Sequence, residues 1–174
     1  ALHGDEPTTE AANHVVTYVP VLQEALRDLA LWVEKGVAPP ASTRYTIADG
    51  QVLVPATAAE RHGIQPVVDL KVGGRDSITI RAGQTVRFEG TITVPGGAGY
   101  VTRADWDFSG KGAFTTPSQV PPRTREAKVA ISHRFDQPGT VYVALKGSAQ
   151  REGDAANTYR QVQNLGRVRV VVRD

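Results

Sequence analysis

Two short stretches hold residue types that could do chemistry. In "ISHRFDQPGTVYVALKG" (131–147) stands His133, one of four histidines in the 174-residue chain. An imidazole with an ordinary pKa of about 6.5 is the usual proton carrier near neutrality. His133 is in phase with Val129, Ile131 and Phe135 at a period of two, so it faces the inside of a strand. A neutral imidazole in that position is expected to hydrogen-bond to backbone and close a corner of the fold. No Ser, Asp or second His at short spacing offers it a catalytic partner. In "RADWDFSGKG" (103–112), Asp105, Asp107, Ser109 and Gly110 open like a calcium loop. The twelfth position from Asp105 is Thr116, where such a loop needs a bidentate Glu. Trp106 and Phe108 alternate with the acids, as on a strand with one wet face. Arg167, Arg169 and Arg173 line the polar side of the last strand and read as a solvated face.

Several chemistries are absent. There is no Cys, which excludes disulfides, thiolate nucleophiles and cysteine-held zinc. Phosphate-cradling glycine loops, a GxSxG serine elbow and an HExxH pair are missing as well. No metal and no cofactor is therefore expected. Twenty Lys and Arg stand against 18 Asp and Glu, without a long basic run, which argues against nucleic acid as a partner. No stretch approaches the roughly 20 apolar residues of a membrane span. The chain starts at Ala1 and contains no Met, which points to a processed product or a piece of a longer protein.

These residues need elements to position them. "HVVTYVPVLQEALRDLALWVEKG" spaces Val15, Val19, Leu22, Leu26, Leu29 and Val33 by fours and threes, one apolar packing stripe along a helix. Trp32 lies beside the stripe. Gly36, Pro39 and Pro40 stop the helix, and Pro20 is expected to kink or break it. Asp49-Gly50 between two short alternating runs predicts a hairpin with a type I′ turn. Thr57 is placed to cap a short turn through "AAERHG". From Val67 the period is two, in six or seven short strands with Gly- and Pro-rich turns, and 115–126 reads as an exposed loop. The expected fold is mainly β: an antiparallel β-sandwich preceded by a long amphipathic helix and a β-hairpin. The expected division is a helical segment at 1–40, a hairpin and linker at 41–66, and the sandwich at 67–174.

Three blocks in the sandwich carry a resemblance. "AGQTVRF" (82–88), then Trp106, Asp107 and Phe108, then His133, Phe135, Pro138, Gly139, Val143 and Leu145 follow the order and intervals of the PKD-domain pattern. The chain resembles PKD domains, immunoglobulin-like sandwiches of exported and cell-surface proteins, over roughly 67–174. Two departures stand out: "SGKG" replaces the family's Gly-Asp-Gly turn, and Val141 replaces a Tyr. The resemblance implies export, and contacts with protein or polysaccharide, or a spacer role.

The front segment "ALRDLALWVEKGVAPPAS" is similar to the last helix of α/β-hydrolases of the tannase and feruloyl-esterase type. In such enzymes the triad histidine precedes that helix, which implies His3 as general base for a serine. This chain holds no elbow for that serine. The sequence therefore favours a non-catalytic accessory module of an exported hydrolase-like protein, with an upstream hydrolase core or another protein as partner. The alternative is an esterase subunit that supplies His3 to a serine on another chain. The stripe separates them from a free-standing module, which would pack it on its own sandwich or self-associate.

Overall fold

A computed structural model describes residues 14–174. Helix α1 (Val19–Lys35) starts one residue before Pro20. Pro20 is thus in the first turn, where a backbone N–H would have no intrahelical acceptor, so it fixes the start and neither kinks nor breaks the helix. Val15 accordingly lies ahead of the helix, and the helical stripe begins at Val19. Gly36 ends it in the left-handed conformation (φ 67°), its N–H donating to the Trp32 carbonyl.

Strands β1 (Thr46–Ala48) and β2 (Gln51–Leu53) form the expected hairpin, with positive φ at both Asp49 and Gly50. A one-turn helix, α2 (Ala58–Arg61), follows; the Thr57 hydroxyl accepts from the Glu60 N–H as its cap.

The rest is a two-layer immunoglobulin-like sandwich. One sheet orders β3 (Val67–Val72), β5 (Gln84–Thr93) and β8 (Glu126–Phe135). The other orders β4 (Ser77–Arg81), β10 (Val162–Arg173), β9 (Gly139–Gln150), β6 (Tyr100–Asp107) and β7 (Thr116–Ser118). Two details differ from the sequence reading. The sandwich is not wholly antiparallel: β4 leaves β3 through the turn at 73–76, crosses to the other sheet and runs parallel to β10. Residues 116–118 are not loop but a short edge strand on β6, held partly by Trp106 Nε1–H donating to Ser118 Oγ at 2.8 Å.

The core lies between the sheets: Phe88, Ile92, Trp106, Val143, Leu145, Val168 and Val170 are fully buried. Glycines let the layers approach. A Cβ on Gly147 would stand 2.8 Å from Ile92 and 2.9 Å from Val68 of the facing sheet. Gly147→Val is therefore expected to cost about 1–3 kcal/mol by overpacking, read as a lowered urea midpoint at unchanged m-value. An unchanged midpoint would show that the sheets can part freely there.

Candidate functional site

The PKD-like motif residues meet at one corner of the sandwich. Trp106 and Phe108 stack at 5.8 Å, the His133 ring stacks on Phe108 at 4.2 Å, and Phe135 meets His133 edge-on at 4.7 Å. Phe88 touches Trp106, Phe108 and Phe135 from below. His133 thus closes the corner as an aromatic ring. The backbone hydrogen bond expected of it is not formed among the described residues, because stacking leaves the ring edge half-buried beside an open cleft with Ser109 and Ser132.

Asp107 is fully buried and organises the turn. Its Oδ1 accepts from the Ser109 N–H (2.9 Å), the Ser109 hydroxyl (2.6 Å) and the Gly110 N–H (3.1 Å), and its Oδ2 from the Gly112 N–H (2.8 Å). The carboxylate is spent on the turn itself, which is how "SGKG" replaces the family's turn. Asp105 pairs instead with Arg103 at 3.3 Å. Among the described residues no group of three or more His, Cys, Asp or Glu is placed to hold a metal ion. Pro138 and Gly139 lead into β9 at the surface, with Gly139 at φ 147°, and Val141 packs against the core as an apolar residue. Arg169 and Arg173 are exposed, while Arg167 lies over the Tyr142 ring at 4.9 Å.

Burial lowers the His133 pKa below its ordinary 6.5, against a smaller upward pull from Asp136. The unfolded chain then binds more protons than the folded one just below pH 6.5. His133 accordingly contributes stability that is present above pH 6.5 and lost as the pH falls through that value toward the folded pKa. His133→Phe keeps a ring on Phe108 and is expected to flatten this part of the stability–pH curve without loss of fold. A variant that fails to fold would assign the imidazole a bonding role the ring contacts do not show.

A second cluster was not legible in the sequence. The face of α1 opposite its apolar stripe carries Glu24 and Asp28, which are buried (2% and 7% exposed) against the loop between β9 and β10. Arg151 grips Asp28 with both terminal guanidinium nitrogens, Nη1 and Nη2, at 2.7 and 2.9 Å, and lies 3.3 Å from Glu24. Arg160 stands 3.4 Å from Glu24 on the other side, and its backbone N–H donates to the Gln23 side chain at 2.8 Å. Glu152 links Arg160 and Arg27. Burial pushes the Glu24 pKa up, and Arg151, Arg160 and Arg27 pull against it. The i, i+4 spacing of Glu24 and Asp28 was the available signal; nothing in the sequence pairs them with arginines some 120 residues away.

The stripe itself faces away from the sandwich. Val19, Leu22, Leu26, Leu29 and Val33 are exposed, Leu26 at 59% and Val33 at 77%, as are Val15 and Trp32. Tyr45, Ile47, Val52, Leu53 and Val54 of the hairpin are exposed too. Pro39, Pro40 and Thr43 join the two, since they line one cleft with Leu29 and Trp32, and Thr43 lines the next with Tyr45 and Leu53. Among the described residues no helix is long and apolar enough to cross a membrane. His3 lies outside the described residues.

No family model matches the chain, and no curated protein matches it. Solved structures similar to it include two domains. One is the PKD domain of an M14-like peptidase from Thermoplasmatales archaeon SCGC AB-540-F20, with 16% identity, TM-score 0.44, and coverage of 64% of this chain and 100% of that one. The other is the CARDB domain of a Pyrococcus furiosus protein, solved in complex with di-metal ions, with 15% identity, TM-score 0.42, and coverage of 62% and 92%. The strand order, the Asp107 turn and the ring cluster around His133 together make residues 67–174 an immunoglobulin-like sandwich that resembles PKD domains.

Proposed function

We propose that this chain is a non-catalytic accessory module of an exported, hydrolase-like protein, and that it packs on the parent through α1. The carrying observation is the inversion of the helix: its acidic face is clamped to the sandwich and its apolar face is turned outward. A run of exposed apolar side chains along one helix face marks a surface that meets a partner. An upstream α/β-hydrolase core fits it, because the last helix of such a fold lays its apolar stripe on the core sheet, and "ALRDLALWVEKGVAPPAS" is similar to that helix. In this reading 1–40 completes the core, 41–66 spans to the sandwich, and 67–174 faces outward for protein or polysaccharide contacts.

Native mass spectrometry of the particle from its natural source tests this. The expected result is one particle, or one longer polypeptide, that contains an α/β-hydrolase core. Leu26→Glu is expected to release that core while the sandwich keeps its stability, because the Leu26 side chain is mostly exposed. The 18.7 kDa chain alone, or only as a homo-oligomer, would overturn the proposal. If a core is present and His3→Ala abolishes ester hydrolysis, the chain is instead a working part of the esterase.

A further inference from the structure

A small pocket on the outer face of the five-stranded sheet is independent of the corner and of the apolar stripe. It holds about 100 Å³, the size of a functional group rather than of a sugar ring, and is lined by Arg103, Asp105, Phe114, Lys146, Ser148 and Gln163 among others. Cross-strand register assembles it: Lys146 on β9 faces Asp105 on β6, and Ser148 faces Arg103 on one side and Gln163 of β10 on the other.

Two of its groups lack a hydrogen-bond partner among the described residues. The Ser148 side chain is buried at 1% exposure, and among the described residues its hydroxyl has no hydrogen-bond partner. Lys146 is partly buried with its ammonium 4.3 Å from the centre of the Phe114 ring, and among the described residues it forms neither a hydrogen bond nor an ion pair. Asp105, the nearby carboxylate, is already neutralised by Arg103 at 3.3 Å. Arg103, Asp105 and Lys146 therefore sum to one uncompensated positive charge in a recess. A desolvated ammonium and an unpaired hydroxyl are costly to leave unmatched, and one small anion with two acceptor oxygens answers both.

We propose that this pocket binds a single carboxylate group, with Lys146 as the charge partner and Ser148 as a hydroxyl donor. The 174-residue chain is titrated with sodium acetate against sodium chloride at matched ionic strength, with the Lys146 side-chain and Ser148 and Gln163 amide NMR signals as readout. The expected result is a saturable shift with acetate and none with chloride, acetamide or methylammonium. Lys146→Met is expected to weaken acetate binding about tenfold or more, and Ser148→Ala about two- to fivefold, in line with charge-assisted and ordinary hydrogen bonds. Lys146→Arg, which keeps the cation but overfills the recess, should show the same loss should the Met variant misfold. Acetamide binding as well as acetate, no saturation, or Lys146 variants that bind unchanged would each overturn the proposal. N-acetylglutamate amide, run in parallel, identifies the source: binding tighter than acetate assigns the carboxylate to a protein side chain, and weaker binding to a free small acid.

Discussion

Trp106→Ala is expected to remove a large share of the stability of the sandwich. The indole is fully buried, stacks on Phe108 and donates its Nε1–H to Ser118 on the edge strand β7. Truncation forfeits the transfer free energy of the ring and leaves a cavity between two sheets that cannot collapse without breaking ladders. Comparable Trp or Phe truncations cost about 3–5 kcal/mol. Against a total of about 5–15 kcal/mol this is about a fifth or more, so the urea midpoint should fall sharply and the melting temperature on the order of 10 °C. Trp106→Phe should cost less than half as much, since it keeps the core ring and loses only the bond to β7. A Trp106→Ala variant within about 1 kcal/mol of the parent would mean that the corner does not organise the fold.

The second large effect is expected at the clamp. Arg151→Ala leaves Asp28 without its bidentate partner and Glu24 without one of its two close cations, both still buried. Breaking such a pair from one side costs about 3–5 kcal/mol, because the remaining charge must be solvated or exposed. Here the cheapest escape is release of α1. A 17-residue helix with its polar face freed and its apolar face already wet has little reason to persist alone. Amide exchange along 19–35 should accelerate about 10²- to 10³-fold, while β5, β9 and β10 keep their protection. Glu24→Gln in the Arg151→Ala background should recover part of the loss. It removes the buried charge that makes folding less favourable as pH rises above 4.5, the direction set by a carboxyl whose folded pKa is raised. Unchanged exchange in α1 would show that hydrophobic contacts hold the helix, contrary to its exposed stripe.

The strands were legible because burial on a pleated sheet leaves a period of two. Val86, Phe88 and Ile92, or Val168, Val170 and Val172, needed no partner to be recognised as one face, and Asp49-Gly50 announced its own turn. The Trp106–Asp107–Phe108 and His133–Phe135 blocks gave away the corner because ring stacking and the Asp107 turn are local to a few residues on each of two strands. The parallel β4–β10 pair escaped because it is defined by a neighbour far away in the chain, and the edge strand β7 because only its pairing with β6 marks it. Residues 116–118 have loop composition and become a strand only by lying beside β6.

Helix α1 shows the division most clearly. Its existence, its cap at Gly36 and its two faces follow from a 3.6-residue period and the chemistry of Gly and Pro, and all are local. Which face the helix lays on the sandwich is a different question, decided by Arg151 and Arg160 on a distant loop. Hydrophobicity alone would have turned the stripe inward; the closest charge pairs, Asp28 with Arg151 and Glu24 with Arg151 and Arg160, cross between the elements and hold the acidic side there instead. By itself, then, the sequence determined the helix, the hairpin and most of the strands. Only the tertiary structure decided that the apolar face is left for something else to cover, because that choice rests on contacts between residues with no local relation to one another.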